Sequence, residues 1–184
     1  MTHAPIKYRD FQIGRDLPPL LSSTFLVHGE TNVVYAAREA FTFSFEVPGR
    51  EVRGKPTGEE GKPRVSAVVV SPSPAGLAVQ VGDALASQKV GVILTDRRLA
   101  VFNLVPADPS LKEPSFMDGL RDLGRTLRGK EEFPPYPMVC STVMELPASM
   151  VSYQGVQKEK PRNCVKADYH RIAFHDGSTL GLLT

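Results

Sequence analysis

The chain has 184 residues, 41% hydrophobic and 23% charged, with 22 Lys and Arg against 20 Asp and Glu. A chain of this length buries roughly two-thirds of its unfolded surface, so disorder along the whole chain is excluded and no disulfide or metal staple is needed. The formal charge of +2 supplies no long-range field to draw in nucleic acid, and 15 Gly with 16 Pro exclude a long helical bundle.

Residues 1–31 are expected to form an arm that packs on the domain. Their prolines fall at Pro5, Pro18 and Pro19, and their apolar patch, Leu17 to Val27, is neither cleanly helical nor alternating. Charges and prolines stand where a secretory signal needs an unbroken apolar segment, which points to the cytoplasm and to reduced thiols at Cys140 and Cys164. From Asn32 to Val47 the pattern is that of a strand: Phe41, Phe43 and Phe45 share one face, Thr42 and Ser44 the other. A polar loop follows over 48–64, with the tripeptide Gly-Lys-Pro twice, and then a continuous β-branched run to Val70. The longest uncharged stretch, Val65 to Gly82, is broken by Pro72 and Pro74, so it cannot span a bilayer.

After that break, the segment from Ala75 to Lys89 predicts a short helix, weakened by Gly76 and Gly82. Two apolar runs around Asp96-Arg97 predict a β-hairpin over 89–105. An insertion over 106–137 carries one amphipathic helix, 115–129. Ser115 and Asp118 resemble a capping box, Phe116, Leu120, Leu123 and Leu127 form one stripe, and Arg121, Arg125 and Arg128 lie opposite. Strands are predicted over 138–146, 150–157 and 163–174, and Asp176-Gly177 turns the chain into a last strand.

The segment VGVILTDRRLAVF, then VMELPASMVSYQGV, then RIAFHDGSTLGLL resembles bacterial pleckstrin-homology-like domains, in which an LTDRRL hairpin, a following strand pair and a final F-x-DGS strand recur in this order. The resemblance covers residues 90–105 and 139–183. It implies a mainly β fold (α+β) over 32–184: a bent, seven-stranded antiparallel barrel or roll with an inserted helix, used to bind lipids, peptides or proteins. Such domains close one barrel corner with a C-terminal helix, whereas this sequence ends at Leu182-Leu183-Thr184. Apolar material to plug that corner exists in the N-terminal patch and in the stripe of the inserted helix, the latter being the expected plug.

Candidate chemistry is sparse. Gly49 to Lys55 matches seven positions of a phosphate-binding loop, but Pro56 supplies neither the metal-binding hydroxyl nor an N–H, so no nucleotide cofactor is expected. Lys55, Lys62 and Arg64 lie between predicted strands, similar to the basic loop of phosphoinositide-binding pleckstrin-homology domains. With Arg121, Arg125 and Arg128 they are the candidate anion- or lipid-binding residues. His170 and His175 point to opposite faces of a strand, and the two cysteines lack CxxC spacing, so no metal is expected. No G-x-S-x-G or other nucleophile signature is present in the sequence, and no catalytic residue is assigned. The expected function is a non-enzymatic binding or scaffolding module for a protein or peptide partner, with self-association open. The alternative is peripheral binding of anionic membrane headgroups through the basic loop and basic helix.

Overall fold

A computed structural model describes residues 13–27, 29–38, 41–50, 64–87, 91–106 and 138–184. The chain divides into two compact units, Met1–Leu26 with Leu104–Ser141 and Val27–Asn103 with Thr142–Thr184. Val27 to Thr31, grouped with the arm in the sequence reading, belong to the second unit.

In the first unit, the patch that shows no clear period folds as helix α1 (Ile13–Leu20) followed by a π-helical turn, Leu21–Phe25. Among its described side chains Leu17, Leu21 and Phe25, four residues apart, are buried. Pro18 and Pro19 lie inside α1 and cannot donate backbone hydrogen bonds, and the wider turn is closed by Leu26 N donating to Leu21 O at 2.9 Å.

The second unit is mainly β. Its elements in chain order are β1 (Asn32–Ala37), β2 (Phe43–Glu46), β3 (Ala67–Val70), helix α2 (Leu77–Ser87), β4 (Gly91–Thr95), β5 (Arg98–Pro106), β6 (Met138–Pro147), β7 (Val151–Glu159), β8 (Ala167–Phe174) and β9 (Thr179–Leu183), β5 and β6 each running on into the first unit. They make two open sheets, β1-β4-β5-β6 and β2-β3-β9-β8-β7. The single strand expected over 32–47 is therefore two strands in different sheets. The expected antiparallel barrel is likewise corrected: the sheets do not close on each other, and β2 runs parallel to β3.

The parallel pair is set at its first residues. Thr42 N donates to Ser66 Oγ at 2.8 Å, Ser66 N donates to Thr42 Oγ1 at 3.0 Å, and Ala67 N donates to Thr42 O at 2.9 Å. These side-chain bonds fix the register Phe43↔Ala67 and put Phe43, Phe45 and Val69 in the core.

The main core joins the facing surfaces of the sheets with α2, through Ala78, Val79, Val81 and Leu85 of the helix, Val92, Leu94, Leu99 and Val101 of the hairpin, and Ile172, Leu180 and Leu182. The hairpin β4–β5 forms as predicted, Leu94 opposite Leu99 and Ile93 opposite Ala100. Its other face is also buried: Ile93, Ala100 and Phe102 are each 1% exposed or less. Burial on both faces explains why the two runs are apolar throughout rather than alternating.

Helix α2, foreseen only as a short and weak element, spans eleven residues against β3, β8 and β9. Gly82, which costs helix propensity, is there for packing: a Cβ at this position would stand 2.7 Å from Val69 Cγ2 and 3.2 Å from the Phe45 ring. The inserted helix expected to plug the sheet, residues 115–129, lies outside the described residues. Among those described, α2 covers the inner face of the five-stranded sheet.

Candidate binding surface

The residues quoted for the family resemblance are occupied with structure. In LTDRRL, Thr95 Oγ1 donates to Glu30 Oε1 at 2.6 Å, and Asp96 Oδ1 accepts from Thr31 N at 2.8 Å. Arg98 holds Glu30 through Nε and Nη2 at 2.9 and 3.2 Å and reaches Glu145 through Nη1 at 2.7 Å. The segment before β1 is thus clamped to the β4–β5 turn. Burial would raise the Glu30 pKa, but hydrogen bonds from Arg98, Thr95 and the Val27 amide outweigh it and hold the carboxyl down at about 2.

In HDGS the chemistry is a helix cap supplied from the far end of the chain. Asp176 Oδ2 accepts from Leu77 N at 2.7 Å and Ser178 Oγ accepts from Ala78 N at 3.0 Å, while Asp176 Oδ1 accepts from both the amide and the hydroxyl of Ser178. Burial opposes the charge on Asp176, and these hydrogen bonds prevail and lower its pKa. A third clamp joins Arg50 to Asp83 of α2, with the guanidinium 3.9 Å above the Phe45 ring.

Of the six predicted anion-binding residues, Lys55, Lys62, Arg121, Arg125 and Arg128 lie outside the described residues. Arg64 is exposed at the entrance to β3. His170 behaves as expected, half-buried on the face of Ile172 and Phe174, with Nε2 2.6 Å from Gln154 Oε1, and burial lowers its pKa. Both thiols are free. Burial pushes the Cys140 thiol up to about 12, and Cys164, 3% exposed, packs with Val65, Val68, Ala167 and Tyr169 in a second small core on the outer face of the five-stranded sheet. Among the described residues no group of three His, Cys, Asp or Glu is placed to hold a metal, and no helix is long and apolar enough to cross a membrane.

The candidate surface is strand β7, one of four sheet edges among the described residues. It is nine residues long and stands at the edge of its sheet, paired with β8 on one side only. Every second residue of an edge strand points its N–H and C=O away from the sheet. Tyr153 is 47% exposed on the outer face, lying over Gly155, where a Cβ would meet its hydroxyl at 2.5 Å; Gln157 Nε2 donates to that hydroxyl at 3.3 Å. On the other face Gln154, Val156 and Lys158 are all exposed, Val156 by 60%. Met150, in the turn between β6 and β7, is 42% exposed, and Val143 in the middle of β6 is 40% exposed. A strand over 150–157 is readable in the sequence, whereas its place at the sheet edge is a property of the topology.

Compared with protein-family models, with curated proteins and with solved structures, the chain has no match.

Proposed function

We propose that the chain is a non-enzymatic module that recognises a protein or peptide partner by accepting an added strand along β7. The observation that carries this reading is an edge strand nine residues long whose exposed side chains include Tyr153 and Val156. Edge strands left open and apolar invite pairing, and folded proteins shorten, charge or cover them. Among the described residues nothing pairs with the outer edge of β7, and between Val151 and Gln157 it carries no charge, so its cover is assigned to a partner. The charged side chains best fixed in place, Glu30, Arg98, Asp176, Arg50 and Asp83, hold turns and helix ends together, which fits a scaffold.

The pleckstrin-homology-like likeness belongs to this reading. It is supported by the antiparallel pairs β4–β5, β7–β8 and β8–β9, while the parallel β2–β3 pair and the internal position of α2 are additions to that pattern. The module is assigned to the cytoplasm, in keeping with its free thiols.

The test is selection of extended peptides from a random library on the folded protein, followed by mapping of the selected peptide by amide chemical shifts. The expected result is perturbation along 151–159 and loss of binding in Val156→Lys with an unchanged thermal midpoint. Perturbation elsewhere, with Val156→Lys binding normally, overturns the strand-addition reading.

A further inference from the structure

The charge of β7 is not even along its length. From Val151 to Gln157 it is neutral, and from Lys158 onward the chain turns basic: Lys158, Lys160, Arg162 and Lys166 are all exposed. Residues 160–166 fold back as a strap over the outer face of the sheet. Pro161 is buried, Cys164 seats on Val65, Val68 and Tyr169, and Arg162 N donates to Glu46 Oε1 at 2.8 Å, across the sheet from β7. The strap brings its cations to the side of the molecule where exposed Arg64 enters β3, linked there by Tyr169 Oη donating to Val65 O at 2.9 Å.

Carboxylates on this side are fewer. Glu159 lies 3.9 Å from Arg171, Glu46 accepts the Arg162 amide, and Asp168 stands opposite Lys158 in the β7–β8 register. Among the described residues none of Arg64, Lys158, Lys160, Arg162 and Lys166 has a carboxylate oxygen within 4.0 Å. Lys158 and Lys160, at the end of β7, therefore make no ion pair among the described residues, and the buried Pro161 pins the backbone beside Lys160.

We infer that the segment added to β7 is acidic at one end: its apolar and neutral residues lie along Ser152 to Val156, and its carboxylates meet Lys158 and Lys160 at the end of the strand. This rests on the strand-addition reading and specifies the chemistry of its partner. An acidic peptide is favoured over single-stranded nucleic acid because base stacking needs aromatic side chains among the cations. The exposed aromatic of this strand, Tyr153, lies at the neutral end, about 17 Å from Lys158 at the rise of an extended strand. It is favoured over a membrane because the exposed apolar side chains, Tyr153 and Val156, project from opposite faces of one strand, and a bilayer can take up only one face.

The test uses fluorescent peptides with an alternating Thr/Val run: one set carries three glutamates at the N-terminal or C-terminal end, one carries three lysines, and one is uncharged. Anisotropy is read on the full chain. One of the two acidic peptides is expected to bind about tenfold more tightly than the uncharged one. The advantage should shrink as salt rises from about 50 to about 300 mM and vanish in Lys158→Glu/Lys160→Glu. That variant should keep the thermal midpoint. Equal binding of acidic and uncharged peptides overturns the acidic-partner inference and leaves strand addition standing; no binding by any peptide overturns both. Tighter binding of phosphatidylserine vesicles or of oligothymidylate than of the acidic peptides, lost in the same variant, also overturns the inference.

Discussion

The carboxylate of Glu30, fully withdrawn from solvent, is gripped from one side by the Nε and Nη2 atoms of Arg98, 68 residues away in the chain. The pair is buried, bidentate and further bonded to Thr95 and to the Val27 amide. Removing Arg98 leaves the Glu30 carboxylate buried without its counter-charge. Arg98→Ala is expected to cost about 3 to 5 kcal/mol in urea unfolding, against less than about 1 kcal/mol for removal of an exposed cation such as Lys166. An equal, small effect in both would show that Glu30 is solvated.

The same carboxylate gives the molecule an acid transition. Its folded pKa of about 2 lies below the ordinary 4.5, so the folded state binds the proton more weakly than the unfolded one. Its contribution is complete above pH 4.5 and is lost as pH falls from 4.5 to 2. The size is on the order of 3 kcal/mol. In Glu30→Gln the slope of stability against pH over that range should flatten; an unchanged slope would assign the acid transition to other groups.

Helix α2 depends on residues a hundred positions away. Its first two amides donate to Asp176 and Ser178, so the helix forms only when β8 and β9 are in place. Ser178→Ala leaves the buried Ala78 amide without its acceptor and should cost about 1 to 3 kcal/mol. Asp176→Ala removes an exposed cap and should cost about 1 kcal/mol. Hydrogen exchange of the amides of residues 77–80 should quicken in both variants. Exchange that stays slow would mean that the helix is held by packing alone.

This dependence shows where the sequence is legible. The β4–β5 hairpin is readable because both of its faces are buried, so its pattern carries no polar interruptions; Ile93→Ala should accordingly cost about 2 to 5 kcal/mol. Helix α2 is barely readable, because its cap is tertiary and its interior Gly82 answers to Val69 and Phe45 rather than to helix propensity. The split of 32–47 into β1 and β2 is hidden, since each half keeps a strand pattern and only the partner strand differs. At the binding surface the strand itself is readable, but neither its edge position nor the strap that gathers Arg162 beside Glu46 has a local signature. Gly82→Ala makes the same point by experiment: in a free helix it gains about 1 kcal/mol, and here the clash should turn it into a net loss.

Glu159, at the basic end of β7, has the opposite character to Glu30. Desolvation raises its pKa, Arg171 at 3.9 Å partly offsets this, and the charge of Glu46 adds to the rise. A carboxyl whose folded pKa is raised binds its proton more tightly in the folded state, so its ionisation opposes folding. The penalty is absent below the unfolded pKa and grows as pH rises through that value and on to the folded one. Glu159→Gln, which keeps the shape and removes the charge, should therefore raise the thermal midpoint at pH 7 and leave it unchanged near pH 3. A lower midpoint at pH 7 would show that the ion pair with Arg171 outweighs the cost of burying the carboxylate.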